Sequence, residues 1–205
     1  MWNIDRLIKN GAKAVVIACN TATSAAARPL REKYPDIPII GMEPALKPAA
    51  LSMDHAQVLV MATELTLRED KFHQLLQTFE NSADIYLLPA PGIVEFVEQG
   101  ITESSELSAY LSELLAPYRR QRVDCIVLGC THFPFVRESI RQALGYPVRF
   151  FEGGCGAAKE TLRRLQAQCL CNPQSKAGML DFETSCGSDE KQRLCQKLFG
   201  LYHPM

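Results

Sequence analysis

The sequence predicts an α/β fold built on parallel sheets, and three observations carry that expectation. Short runs rich in Val, Ile and Leu recur along the chain, at 14–18, 58–62 and 125–129 among others. Stretches heavier in Ala, Leu, Glu and Arg lie between them, and Gly or Pro punctuates many of the joins. A short apolar run bounded by turn residues marks a strand buried on both faces. Strands that alternate with helices assemble into parallel sheets.

Taken in order, residues 2–10 read as a helix closed by Gly11, a residue suited to the left-handed turn that ends helices. A strand follows at 14–18, then a helix at 23–34 that Pro35 and Pro38 shut off, then a strand at 37–41. The alternation continues with a strand at 58–62, a helix at 66–78, a strand at 84–88 and a short helical segment at 93–98. A long helix is expected at 107–122, a strand at 125–129, a helix at 135–144, a strand at 148–151 and a helix at 157–168. The last part predicts a weak strand at 179–183 and a helix at 188–198.

Composition narrows the function classes. With 205 residues, 47% of them hydrophobic, the chain can bury the core of one large domain or two small ones. A formal net charge of -1 gives no basic footprint for nucleic acid. No run approaches the roughly 18 apolar residues of a membrane span. The first residues mix charged and apolar side chains and lack the apolar stretch of a signal peptide, so a cytoplasmic location is expected. Without export, the 8 cysteines do not read as a disulfide framework. Nor do they read as a metal site, because there is a Cys-x-Cys at Cys169 and Cys171 but no Cys-x-x-Cys pair.

One internal echo points to chemistry. Val15-Val16-Ile17-Ala18-Cys19-Asn20-Thr21 and Ile126-Val127-Leu128-Gly129-Cys130-Thr131-His132 share a plan: an apolar strand, a small residue, a cysteine, and a polar pair opening a helix. Ligands of open α/β sheets bind beyond the carboxyl ends of the strands. The N-terminus of a helix there favours anions and lowers the pKa of a thiol. Asn20, Thr21 and Thr131 are good capping residues, and their polar atoms could equally hold a carboxylate. Two matched thiols facing one pocket suit removal of a proton from one face of a carbon and its redelivery to the other, which inverts the centre. His132, two residues after Cys130, could tune that thiol. One such motif alone would read as a buried cysteine beside a helix cap; the second copy favours function.

The segment Ile17-Ala18-Cys19-Asn20-Thr21-Ala22-Thr23-Ser24-Ala25 closely resembles the first cysteine motif of glutamate racemases, and Leu128-Gly129-Cys130-Thr131-His132-Phe133-Pro134 resembles the second. Ile39-Ile40-Gly41-Met42-Glu43-Pro44-Ala45 and Phe151-Glu152-Gly153-Gly154-Cys155-Gly156 also resemble family segments, in the family's order. The resemblance implies two pseudo-symmetric α/β domains, the first from 1–46 plus 147–205 and the second from 47–146. It implies glutamate as substrate, no cofactor and no metal, with a homodimer left open. It further implies that Cys19 acts on the D-enantiomer and Cys130 on the L-enantiomer, that His132 assists Cys130, and that Glu98, a better match than Glu95, is an auxiliary catalytic group. Asn20, Thr21 and Thr131 then contact substrate, as does Thr63 and, as a weaker match, Thr66. The product, D-glutamate, would serve peptidoglycan synthesis.

The sequence departs from the family in holding neither its Asp-Ser-Gly nor its Pro-Tyr-Gly motif. The resemblance therefore implies that the family's N-terminal segment is missing, that the first domain is incomplete, and that the chain alone racemises weakly or not at all. Two other readings stay open: a racemase for aspartate or another acidic amino acid, and an inactive racemase-like domain that binds a ligand or partner.

Overall fold

The computed structural model describes residues 2–174 and 178–202. It is α/β with parallel sheets throughout. Helix α1 (Trp2–Lys9) leads to β1 (Val15–Ile17), α2 (Asn20–Lys33) and β2 (Ile39–Gly41), and β1 pairs with β2 as a small two-stranded sheet. After α3 (Leu46–Ala50) come β3 (Ala56–Ala62), α4 (Glu64–Leu67), α5 (Asp70–Phe79), β4 (Ala83–Pro89), α6 (Gly92–Glu98), α7 (Ser105–Leu114) and α8 (Ala116–Gln121). Then follow β5 (Cys125–Leu128), a 3₁₀ turn (Phe133–Val136), α9 (Arg137–Leu144), β6 (Arg149–Glu152), α10 (Gly154–Ala167) and α11 (Asp189–Leu201).

The larger sheet has the order β4-β3-β5-β6. Its two central strands explain the apolar runs: β5 is buried along its whole length, and β3 everywhere except Gln57. One face carries Leu59, Met61, Ile126 and Leu128 against α6, α7, the 3₁₀ turn and α9. The other carries Val58, Val60, Cys125 and Val127 against α3 and α5. The alternation of side chains along each strand divides one apolar run between two helical layers. The small sheet has its own cluster of Val15, Leu30 and Ile39, with Ile4 and Ile8 of α1 packed on it.

The strand order also fixes where a ligand can sit. From β3 the chain moves outward to β4; from β5 it moves outward the other way to β6. The loops that leave β3 and β5 therefore diverge, and a crevice opens at their carboxyl ends. Gly129 sits there because nothing larger fits: its N–H donates to the carbonyl of Met61 at 2.8 Å, and a Cβ would lie 2.9 Å from both that oxygen and the Cβ of Ala62.

Several expectations need correcting. The strand at 148–151, assigned by the expected boundary at 147 to the first domain, forms as β6 and hydrogen-bonds β5 in the larger sheet. Its Phe150 and Phe151 pack on opposite faces of that sheet, which their sequence neighbours could not reveal. The helix expected at 66–78 is two helices broken at Arg68–Glu69, and the one at 107–122 breaks at Leu115, where Pro117 can begin a helix but not continue one. No strand forms at 179–183. That segment lies on α11 instead: Phe182 meets Phe199 edge-on with centroids 5.8 Å apart, and Gln192 donates to the carbonyl of Phe182.

Candidate active site

Cys19 follows β1 and is the residue at which α2 begins, with extended backbone at φ -145 and ψ 126. Cys130 follows β5 and precedes the 3₁₀ turn. Both line one cavity of about 160 Å³, together with Asn20, Thr21, Thr63, Thr66, Thr131 and His132. The small sheet supplies one wall and the larger sheet the other. The exposed Cys19 is the more accessible thiol, and Cys130 is partly buried.

Polar bonds tie the walls together. Asn20 donates its amide to the carbonyl of Gly129 at 2.6 Å, and the hydroxyls of Thr21 and Thr66 lie 2.9 Å apart. Thr66, the weaker substrate candidate and the expected start of the helix at 66–78, is buried inside α4 where it lines the cavity, while Thr63 caps that helix by accepting from the Thr66 N–H. Thr63 also donates its hydroxyl to the Thr66 oxygen at 3.0 Å. The side-chain oxygen of Asn20, Oδ1, is buried without a hydrogen-bond partner. A buried acceptor left unpaired costs free energy, so the cavity favours a ligand with a donor at that point.

A second chain of contacts runs behind Cys130. His132 Nδ1 lies 3.6 Å from the Cys130 sulfur, and its Nε2 lies 2.8 Å from Glu98 Oε1. With the ring proton on Nε2, His132 donates to Glu98 and turns a lone pair toward the thiol. Burial pushes the Cys130 thiol above its ordinary range; the main-chain N–H of His132 opposes this, Cys19 adds to the rise, and the N–H of Thr131 opposes it. The lowering expected from a helix start is overturned at Cys130, because a short 3₁₀ turn follows it and burial dominates. Glu98 goes the other way: the ammonium of Lys191, then His132, holds its carboxyl below the usual range.

The nine residues singled out from the sequence thus form two groups. Cys19, Asn20, Thr21, Thr63, Thr66, Cys130, Thr131 and His132 line the cavity; Glu98 reaches it only through His132. Two contributors went unread. Gly129 holds both the close approach of β5 to the end of β3 and the Asn20 contact, and its signal, a small residue before the cysteine, is present in the sequence. Lys191 reaches Glu98 from 93 residues away and leaves no local trace. Among the described residues, no group of three or more His, Cys, Asp or Glu side chains is arranged to hold a metal ion.

Replacing Gly129 with Ala tests the close approach of β5 to the end of β3. The added methyl would press the end of β5 off β3 and carry Cys130 with it. We expect a loss of about 1–3 kcal/mol in stability, typical of overpacking, and a fall in turnover beyond what unfolding explains. Urea titration and an activity assay on the folded fraction measure the two; unchanged values in both would refute the account of this glycine.

The model of the Asp/Glu/hydantoin racemase family matches residues 2–158. A glutamate racemase of Clostridium perfringens (strain SM101 / Type A) is 46% identical over 198 residues, covering 97% of this chain and 76% of the relative. One from Clostridium botulinum (strain Alaska E43 / Type E3) is 40% identical over 195 residues, covering 95% and 76%. Among solved structures, Escherichia coli glutamate racemase, in complex with L-glutamate and the activator UDP-MurNAc-ala, superposes with a TM-score of 0.79 at 30% identity, covering 95% of this chain and 75% of that one. Glutamate racemase from Thermus thermophilus, in complex with β-chloro-D-alanine, gives 0.69 at 28% identity, covering 96% and 73%. With the family matched along three quarters of its length and close relatives aligned over nearly all of it, this chain belongs to the Asp/Glu/hydantoin racemase family.

Proposed function

We propose that this protein interconverts L- and D-glutamate by passing the α-proton between two thiols, and one observation carries the proposal: Cys19 and Cys130 line the same cavity from different sheets. One cysteine, as thiolate, takes the proton from the α-carbon. The electron pair left behind is delocalised into the substrate carboxylate. The other cysteine, as thiol, returns a proton to the opposite face. Atoms and charge balance without a cofactor, and each turnover leaves the two sulfurs with exchanged protonation states. Cys19 is assigned to the D-enantiomer and Cys130 to the L-enantiomer.

The remaining residues take supporting roles. His132 accepts the Cys130 proton at Nδ1 or returns it, with Glu98 holding the ring. The unpaired oxygen of Asn20 suits the substrate ammonium, and the hydroxyls of Thr21, Thr63 and Thr66 with the Thr131 segment suit its carboxylates. Among the described residues no helix is long and apolar enough to cross a membrane. We infer a cytoplasmic enzyme whose D-glutamate feeds peptidoglycan synthesis.

The test is an enzyme-coupled assay for D-glutamate on the purified protein, run in parallel in D₂O with mass analysis of the product. The expected result, however slow the turnover of this chain alone, is that every molecule inverted carries one solvent deuteron at Cα. Retention of the α-hydrogen in inverted product overturns the proposal; conversion of aspartate in preference to glutamate changes the substrate.

A further inference from the structure

We propose that Lys191 is a positioning residue for the Cys130 side of the site: from the first turn of α11 its ammonium fixes the Glu98 carboxylate, which in turn aims His132 at Cys130. The inference rests on the two-thiol reading above.

Four contacts, two of them parallel bonds from Lys191 to Glu98, carry it. Lys191 Nζ donates to Glu98 Oε2 at 2.7 Å and to the Glu98 main-chain carbonyl at 3.2 Å. Glu98 Oε1 meets His132 Nε2 at 2.8 Å, and His132 Nδ1 lies 3.6 Å from the Cys130 sulfur. Each carboxylate oxygen therefore has its own partner, and the bridge leaves Glu98 one orientation in which both are satisfied. Glu98 is the last residue of α6, so its carbonyl belongs to the negative end of that helix, a natural seat for an ammonium.

The placement of Lys191 on its own helix argues the same way. A cation in the first turn of α11 opposes that helix's dipole. It brings no benefit to α11, but it does satisfy the end of α6. The pairing is also a poor source of stability, since the two side chains are 43% and 50% exposed. What such a pair can do is restrict a rotamer. Other contacts bring α11 to the same place: Lys197 Nζ donates to the carbonyl of Gly100 at 3.0 Å, Leu194 packs against Gly100, and Leu198 packs against the main core.

Lys191 can act on the His132 ring in two ways, through its charge and through the hydrogen bonds that orient Glu98. Lys191 touches the carboxylate directly, whereas its field reaches the ring across half-exposed, water-screened side chains, so orientation is the larger effect. The charged and titratable neighbours are few: Glu98 on α6, His132 beside Cys130, Cys19 across the cavity, and Cys186 and Glu190 near Lys191.

The test compares Lys191→Met, Lys191→Arg and Glu98→Gln, singly and with Lys191→Met combined with Glu98→Gln, in the protein as it stands. Two quantities are read: racemisation kinetics, and the pH dependence of Cys130 alkylation by iodoacetamide, followed on the Cys130 peptide by mass spectrometry. We expect Lys191→Met to lower kcat roughly tenfold, a fraction of a general acid–base contribution, with KM little changed, and to move Cys130 alkylation to higher pH. Lys191→Arg, which keeps donors for Glu98 Oε2 and the Glu98 main-chain carbonyl, retains most of the rate. Glu98→Gln gives the same shift, and adding Lys191→Met to it changes nothing further, because the two act through one bridge. An unmoved alkylation profile in Lys191→Met, additive losses in the double variant, or an Arg variant as impaired as Met overturns the inference. Cys130→Ser separates it from the underlying reading: full racemisation in that variant defeats the two-thiol mechanism, while the alkylation profiles still report whether Lys191 acts on Cys130.

Discussion

Replacing either Cys19 or Cys130 with Ser is expected to lower kcat/KM for racemisation by about 10²–10⁴-fold, the range that a positioned acid or base contributes, and by the same factor in both directions. The equality follows from thermodynamics. Enantiomers have equal free energies, so the equilibrium constant is one, and the ratio of kcat/KM for the two directions cannot move whichever thiol is lost. A hydroxyl is far less acidic than a thiol and cannot take over either role at neutral pH. The two variants should nevertheless differ with a glutamate analogue that carries a leaving group on the β-carbon. Elimination needs one base, so each variant should still process the enantiomer whose α-hydrogen faces its remaining thiol. Steady-state rates with L- and D-glutamate, and elimination from each analogue enantiomer, measure this. Wild-type rates in either variant would sink the two-thiol mechanism.

The second large effect is structural. Phe133 is fully buried, three residues beyond Cys130, at the start of the 3₁₀ turn and inside the main core. Its N–H also donates to the Cys130 carbonyl at 3.1 Å, closing the loop that presents the thiol. Phe133→Ala should cost about 3–5 kcal/mol, from lost burial plus the cavity left behind. That is a large part of the roughly 5–15 kcal/mol by which a domain is usually stable. Leu65→Ala, at a residue 60% exposed, should stay within about 0.5 kcal/mol. Urea unfolding of the three proteins measures both; a Phe133 loss below 1 kcal/mol would show that the turn is not anchored through this ring.

Much of this fold was legible because buried parallel strands leave an unmistakable trace. β3 and β5 are buried and apolar nearly end to end, and their positions follow from that alone. The five-residue α3 was not legible, since Lys47 and Pro48 hide its apolar Leu46, Ala49 and Ala50 from any helical period. The pairing of β6 was not legible either: a strand's sequence states that it is buried but not which edge it joins. The same division holds at the site. Cys19 and Cys130 stood out because each combines a strand end, a thiol and a capping pair, and the structure brings both to one cavity. Thr63 and Thr66 are ordinary in sequence, and their bonds depend on α4 starting at Glu64 with Thr63 as its cap. Glu98 reaches the thiol only through His132, a relation across 34 residues that no local pattern encodes.

The bonds that shape the cavity are also those that join its walls. Asn20 to Gly129 and Thr21 to Thr66 each link a residue of the small-sheet side to one of the larger sheet. If the two sides part at this point, those two bonds break together, and the thiols cease to share a compartment. At about 1 kcal/mol of net stabilisation for each bond, the pair would hold the parted arrangement to a few per cent of molecules, a population within the range typical of minor states. Admission of a ligand and alignment of the two sulfurs therefore draw on the same pair of bonds, in opposite senses. A change that strengthens either bond would keep the sulfurs aligned for more of the time while narrowing the interval in which a ligand can enter or leave.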